Sequence, residues 1–179
     1  AQKKPAQQET KRSLIYTIAK PVAALLLKTF LPVKYHDVEK LNIEAPYIVI
    51  GNHLSLMDPV VIGVGIRKHQ IRFIGKKELW KNKLVAAIFN NMNMIPVDRH
   101  NSDMEAMRAC MRVTREGHVL GIFPEGTRHH DGLMTELESG VAMIALRSKV
   151  PLVPVYIAGK LGLFRTLHVY VGKPIMMDD

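Results

Sequence analysis

The chain has little cysteine, few aromatic residues and a shortage of acidic side chains. Its 179 residues include one cysteine, Cys110, which excludes an internal disulfide framework and a cysteine-based metal site. Aromatic residues make up 6%, and no zinc-finger spacing, aromatic RNA-binding signature or long basic arm is present. Because 25 Lys and Arg outnumber 16 Asp and Glu, the net charge of +9 favours an anionic partner. We therefore predict an anionic membrane surface or an acidic carrier protein as the partner, and no nucleic acid.

The sequence also lacks an unbroken apolar run long enough to cross a bilayer. Residues 13–31 are strongly apolar, but Lys20, Pro21 and Lys28 interrupt them, and a spanning helix needs about 20 mostly apolar residues. Five apolar residues of this segment share one helical face: Leu14, Ile18, Val22, Leu25 and Leu26. This pattern favours a helix or kinked helix pair lying in the membrane interface. The alternative is that the same face packs on the protein's own core.

Short β-branched segments alternate with helical patterns along the rest of the chain. Residues 47–50 and 118–123 are two of the apolar segments that indicate buried strands. Alternating strands and helices predict an α/β fold, here a single-domain sandwich around a mixed, mainly parallel sheet. We divide the chain into a polar tail with an amphipathic membrane-associating helix, residues 1–32, and an α/β catalytic domain, residues 33–179.

A polar loop follows the strand at residues 47–50. It carries His53 and ends at Asp58 and Pro59, which are typical of a helix start with Asp as the N-cap and Pro as the first helical residue. Such a turn brings the Asp58 carboxylate back to His53. An aspartate bonded to one imidazole nitrogen selects the tautomer and stabilises the protonated ring, so His53 is a candidate general base. By itself, the same pattern also fits ordinary helix capping beside a histidine without a chemical role.

A second polar motif, Phe-Pro-Glu-Gly-Thr-Arg, occupies residues 123–128, directly after another predicted strand. The planar guanidinium of Arg128 suits a phosphate, and Thr127 can donate a hydrogen bond. Gly126 permits a close approach of the backbone. Standing alone, Glu-Gly-Thr-Arg is more typical of a turn with an exposed salt bridge.

The order of the two motifs resembles that of the glycerolipid acyltransferase family. Asn52-His53, four further residues and Asp58 precede Phe-Pro-Glu-Gly-Thr-Arg, and the bacterial lysophosphatidic acid acyltransferases of the PlsC type are the most similar subgroup. The resemblance extends over residues 46–174. It includes four further segments: residues 76–79, 95–99, 150–155 and 169–174.

The resemblance implies an acyl transfer to a hydroxyl group. His53 would deprotonate the free hydroxyl of a lysophospholipid, which then attacks the thioester of an acyl donor, and Asp58 would orient His53. Asn52 and Ser55 would be supporting residues that hold the loop or the developing charge.

The resemblance also implies a binding site for the glycerophosphate of the acceptor. Arg128 would bind the phosphate. Six residues form this expected set: Lys76, Arg99, Glu125, Gly126, Thr127 and Arg128.

The expected reaction converts lysophosphatidic acid to phosphatidic acid at the cytoplasmic face of the cell membrane, where the protein would be peripheral. The donor is expected to be acyl-CoA or an acyl carrier protein thioester, as a cosubstrate, with no metal or bound cofactor. Two alternatives remain at this point. The acceptor is another lysophospholipid or a lyso-amino-acid lipid, or the chain is a non-catalytic membrane lipid-binding module.

Overall fold

Seven strands form one sheet in the part of the chain that the computed structural model describes, residues 14–97, 104–124, 139–160 and 162–176. The strands are β1 Val33–His36, β2 Tyr47–Gly51, β3 Ile71–Lys76, β4 Ile95–Val97, β5 Val119–Ile122, β6 Leu152–Ala158 and β7 Leu167–Val171. The helices are α1 Leu14–Phe30, α2 Asp58–Gly65, α3 Lys83–Asn91, α4 Met104–Arg115 and α5 Ser139–Ser148. Two short 3₁₀ helices, Val38–Leu41 and Lys77–Lys81, connect these elements.

The strand order is β1-β7-β6-β2-β5-β3-β4. The five strands from β6 to β4 run parallel, whereas β7 pairs antiparallel with β6, and β1 pairs parallel with β7. The predicted α/β fold with a mixed, mainly parallel sheet is therefore confirmed. Because neighbouring parallel strands end on the same side, β2, β3, β5 and β6 place the residues that follow them along one edge of the sheet.

Helices cover both faces of the sheet, and the side chains of each strand alternate between them. In β2, Tyr47 and Val49 belong to the core cluster that includes residues of α1 and α2, while Ile48 belongs to the cluster with α4 and α5. Cys110 of α4 is buried in the second cluster, where it acts as a small packing residue.

Helix α1 continues through Pro21 as one helix rather than a kinked pair. Its inner face packs on the protein, where Leu27 is buried and the Tyr16 hydroxyl donates to the Gly63 carbonyl of α2 at 3.5 Å. The five apolar residues of its predicted outer face are 51–76% exposed, so they do not pack on the described core. No helix among the described residues combines the length and apolar character needed to cross a bilayer. Contact of this outer face with a membrane remains a prediction.

A glycine in β5 makes room for an aromatic stack beneath the carboxyl edge. A Cβ built on Gly121 would lie 2.4 Å from Cε1 of Phe73 on the neighbouring strand β3. The Phe73 ring in turn stacks on Phe123, with ring centroids 5.5 Å apart and planes 7° from parallel. The position of Phe123 thus depends on the absence of a side chain at Gly121.

We predict that Gly121→Ala destabilises the protein by about 1–3 kcal/mol, because Phe73 must shift in a packed core. Gly63→Ala is the matched control, since a Cβ there meets its nearest atom at 3.7 Å, an ordinary contact inside a helix. The control is expected to be neutral or to stabilise by up to about 1 kcal/mol, because alanine favours helix over glycine. Urea denaturation of the three proteins measures both changes. Equal stability of Gly121→Ala and the parent would contradict the tight packing at Phe73.

Candidate active site

The loop at residues 52–57 joins the carboxyl end of β2 to α2 and carries the predicted histidine. Strand β5 lies beside β2, and Phe123 follows its last residue at the same edge of the sheet. The first predicted motif and the beginning of the second therefore lie at one edge, as crossover connections between parallel strands require.

The Asp58 carboxylate is the centre of this loop. Its side chain is 1% exposed, and Oδ2 accepts a hydrogen bond from Nδ1 of His53 at 2.9 Å. The same oxygen accepts from the backbone N–H groups of Leu54 at 2.6 Å and Ser55 at 2.7 Å. Oδ1 accepts from the Ser55 hydroxyl at 2.8 Å. A buried carboxylate needs such donors to offset its loss of hydration, and here both of its oxygens have them.

The predicted capping role of Asp58 was wrong by one position. Helix α2 begins at Asp58 with Met57 as its N-cap residue, and Pro59 is the second helical residue. The Met57 N–H instead donates to the Ser55 hydroxyl at 3.1 Å. The physical reason is that the Asp58 carboxylate is directed to the loop, where two N–H groups, one hydroxyl and the imidazole donate to it.

The hydrogen bond to Asp58 selects the tautomer of His53. A carboxylate accepts, so Nδ1 carries the proton and the neutral ring keeps its lone pair on Nε2. Among the described residues, Nε2 has no hydrogen-bond partner. The side chain is 16% exposed, and one ring face stacks on Phe123 at 4.3 Å between centroids. This arrangement holds a proton acceptor at a site that is partly open to solvent, which is the geometry a general base requires.

Asn52 anchors the loop to the neighbouring strand β6. Its side chain is buried, the Nδ2 group donates to the Ile157 carbonyl at 2.9 Å, and Oδ1 accepts from the Ile157 N–H at 2.7 Å. The amide thereby continues the β2–β6 pairing after β2 has ended. Both hydrogen-bonding ends of the Asn52 amide are used in this contact, so this side chain holds the loop in place. Ser55 also holds the loop, because its hydroxyl donates to the Asp58 carboxylate.

The remaining predicted site residues fall into two groups. Lys76 ends β3 at the same edge, is half-exposed, and lies 3.9 Å from Oε1 of Glu78. Five predicted residues lie outside the described residues: Arg99, Glu125, Gly126, Thr127 and Arg128. Within the described ranges, no three His, Cys, Asp or Glu side chains converge in a way that would hold a metal ion. The part of Lys76 and of these five residues in phosphate binding stays a prediction.

Phe123 is a site residue that the sequence motifs did not predict. It is the first residue of the second motif, and its ring lies against both His53 and Phe73. Its position directly after a buried strand, at the edge where His53 was expected, was the available signal.

The fold and this loop define an α/β protein with a histidine–aspartate pair at the carboxyl edge of a mainly parallel sheet. The family model described as Acyltransferase matches residues 32–158. The chain belongs to this acyltransferase family.

Three similar proteins agree with the family assignment. The 1-acyl-sn-glycerol-3-phosphate acyltransferase of Bacillus subtilis (strain 168) is 31% identical over 152 residues, which are 82% of this chain and 75% of the relative. The enzyme of the same name from Streptococcus pneumoniae is 29% identical, over 93% of this chain and 64% of the relative. The crystal structure of the 1-acyl-sn-glycerophosphate (LPA) acyltransferase PlsC from Thermotoga maritima is 26% identical with a TM-score of 0.72, covering 91% of this chain and 68% of that chain.

We predict that Asn52→Ala destabilises the protein by about 2–4 kcal/mol, because it leaves a buried N–H and a buried carbonyl of Ile157 without their partners. The matched control is Asn91→Ala, which removes a hydrogen bond of 2.7 Å to the Ala87 carbonyl on an exposed helix surface. Water replaces that bond, so the control is expected to change stability by less than about 0.5 kcal/mol. Urea denaturation measures both. Similar small losses in the two variants would show that Asn52 is not a structural anchor.

Proposed function

We propose that the protein transfers a fatty acyl group from an acyl thioester to the free hydroxyl of lysophosphatidic acid, giving phosphatidic acid for phospholipid synthesis. The observation that carries this proposal is the hydrogen bond of 2.9 Å between His53 Nδ1 and the buried Asp58 carboxylate, in a chain of the acyltransferase family. The names of the relatives in Bacillus subtilis and Streptococcus pneumoniae support the choice of acceptor.

In the proposed mechanism, Nε2 of His53 removes the proton from the acceptor hydroxyl as its oxygen attacks the carbonyl carbon of the thioester. The resulting imidazolium is stabilised by Asp58, whose negative charge is held beside Nδ1. As the C–S bond breaks, the imidazolium returns the proton to the leaving thiolate. The products are the diacyl lipid and a free thiol, so no external oxidant, reductant or base is consumed.

The environment of Asp58 supports this role for His53. The Asp58 side chain is 1% exposed, so water screens its negative charge only weakly. Weak screening strengthens the interaction of this charge with an imidazolium. The stacked ring of Phe123 restricts the orientation of the His53 imidazole, so that Nε2 is held in one direction. A positioned base of this kind contributes on the order of 10²–10⁴-fold to a reaction rate.

The acceptor phosphate is proposed to bind Arg128, because a guanidinium forms paired hydrogen bonds to phosphate oxygens. Lys76, Arg99, Glu125, Gly126 and Thr127 would complete this subsite. The inclusion of Lys76 in this subsite is supported by its place at the end of β3, at the edge that carries His53. An acceptor bearing another headgroup, a second lysophospholipid or a lyso-amino-acid lipid, is the alternative within the same reaction class.

The donor is proposed to be acyl-CoA or an acyl carrier protein thioester. Both are anionic thioesters, so the net charge of +9 suits either one and does not distinguish them.

We propose a peripheral location on the cytoplasmic face of the cell membrane, and the outer face of α1 supports the contact with a membrane. Its apolar residues are exposed, whereas the opposite face of the same helix packs on α2 through Tyr16. The helix contains Lys20 and Lys28 and no acidic residue. Lys20 contacts the protein, because its Nζ donates to the Ile66 carbonyl and lies over the Tyr16 ring, whereas Lys28 is exposed. An exposed apolar face with a basic residue at its margin suits the boundary between anionic headgroups and acyl chains.

We expect His53→Ala to lower turnover on the order of 10²–10⁴-fold, because the base is removed while the acceptor subsite is kept. The measurement is thiol release from both donors with lysophosphatidic acid in mixed micelles, with the product lipid identified by mass. His69→Ala is the matched control, since His69 precedes β3 at the opposite edge of the sheet. If His53→Ala turned over substrate as fast as the control, general-base catalysis by His53 would be contradicted. If the parent protein is folded and binds vesicles but forms no product from any lyso-lipid, the result would favour the non-catalytic lipid-binding module.

We expect Arg128→Ala to raise the KM for lysophosphatidic acid by about tenfold or more and to change kcat less, because loss of a charge-assisted contact to a bound group mainly weakens binding. Arg147→Ala is the control, because Arg147 is exposed on α5. Initial rates over a range of acceptor concentrations separate the two constants. An unchanged KM with a reduced kcat would remove Arg128 from phosphate binding.

A further inference from the structure

The turn between β6 and β7 presents two large apolar side chains to solvent. Leu163 is 69% and Phe164 72% exposed, and the turn is closed by a hydrogen bond of 3.0 Å from the Arg165 N–H to the Gly162 carbonyl. Phe164 has a φ of 60°, in the left-handed region that glycine or asparagine normally occupies. A bulky aromatic residue therefore occupies a position where backbone geometry disfavours it.

Contact with the end of α1 holds this turn in place. The Phe164 N–H donates to the carbonyl of Phe30, the last residue of α1, at 2.8 Å. The two aromatic rings lie 6.5 Å apart between centroids, and the Leu167 N–H donates to the Pro32 carbonyl at 2.9 Å. The contacts of the turn with Phe30 and Pro32 thus hold the strained backbone conformation of Phe164 in place.

The turn extends the outer apolar face of α1 without a break. Phe30 is 43% exposed and lies one turn beyond Leu26, which is 51% exposed, on the same side of the helix. Because Phe30 also contacts Phe164, the exposed surface continues from the helix to the tip of the turn. This surface consists of the outer face of α1 together with Phe30, Leu163 and Phe164.

The turn also lies at the edge of the sheet that carries His53. Ile157, near the end of β6, holds Asn52 through two hydrogen bonds, and the chain reaches the turn a few residues later. Leu56 of the His53 loop is likewise exposed, by 67%. The apolar tip is therefore on the catalytic edge and not at the far end of the molecule.

The charge around the turn identifies the kind of surface it fits. Residues 159–166, which connect β6 to β7, contain no Asp or Glu, and Lys160 and Arg165 are exposed on either side of the apolar tip. Lys28 adds a further exposed cation near the end of α1. A protruding tip with two apolar side chains between cations suits a deformable anionic bilayer, where the side chains enter the acyl region and the cations remain among the headgroups.

We propose that Leu163 and Phe164 insert into an anionic lipid bilayer as a second contact beside α1, and that this contact sets the catalytic edge against the membrane surface. The inference rests on the proposed function only in taking the acceptor to be a membrane lipid. A single helix lying on a bilayer can roll about its axis, whereas a second contact at its end restricts that rotation. His53 is then kept at the depth where the headgroup of a lysophospholipid lies.

The test measures vesicle binding and turnover separately. The double variant Leu163→Gln/Phe164→Asn removes the apolar tip, and asparagine accepts the left-handed backbone conformation at position 164. Leu146→Gln is the matched control, because Leu146 is 63% exposed on α5, which packs on the opposite face of the sheet. The 179-residue proteins are sedimented with vesicles of phosphatidylcholine and phosphatidylglycerol. Turnover is measured with the acceptor in vesicles and as a short-chain monomer.

The double variant is expected to bind vesicles at least about tenfold more weakly, since burying either side chain is worth more than the 1.4 kcal/mol of a tenfold change. Its Tm should equal or exceed that of the parent, because the strained φ of Phe164 is relieved. Turnover of the short-chain acceptor should persist while turnover of the vesicle-bound acceptor falls. The control should match the parent in all three measurements.

Vesicle binding of the double variant equal to that of Leu146→Gln would overturn the proposal. So would an unchanged vesicle affinity with a selective loss of transfer from acyl carrier protein, which would assign the turn to a protein partner. Failure of the proposed function looks different, because the parent would then turn over neither acceptor while its vesicle binding still depended on the turn.

Discussion

The buried carboxylate of Asp58 is the constraint on which the site depends. A charge that is 1% exposed must be matched by donors, and four groups at 2.6–2.9 Å provide them. These contacts determine the path of the loop, the tautomer of His53 and the start of α2. The same interaction thus has a structural and a chemical consequence. The loop cannot relax without leaving the charge unpaired, and the carboxylate holds the imidazole through Nδ1 so that Nε2 keeps its lone pair.

Packing beneath the loop determines where the imidazole points. Gly121 leaves space for Phe73, Phe73 stacks on Phe123, and Phe123 stacks on His53. Asn52 fixes the other side of the loop to β6. The orientation of His53 therefore depends on three neighbouring strands as well as on its own loop, and a small change at Gly121 reaches the site through two aromatic rings.

Helix α1 has two apolar faces with different environments. Leu27 and Tyr16 pack on the domain, whereas the residues on the opposite side are exposed and continue into Phe164 of the β6–β7 turn. A helix that packs on only one of two apolar faces is costly in water, and contact with lipid would remove this cost. The proposed reaction and the proposed membrane contact agree, because the acceptor is a lipid and the turn lies on the catalytic edge.

The sequence by itself determined the local features. The strand at residues 47–50, the helix after it and the contact between His53 and Asp58 follow from short-range geometry, because the two residues are 5 positions apart. The order of two motifs also indicated the acyltransferase family.

Tertiary structure decided what depends on distant residues: the contact of Asn52 with Ile157, 105 positions away, the stack of Phe123 on Phe73, and the reversal of β7 and β1. It also decided that Asp58 begins its helix rather than caps it, since donors in the folded loop compete for the carboxylate. Local patterns predict periodicity and turns, whereas which strands become neighbours depends on how the two faces of the sheet are buried.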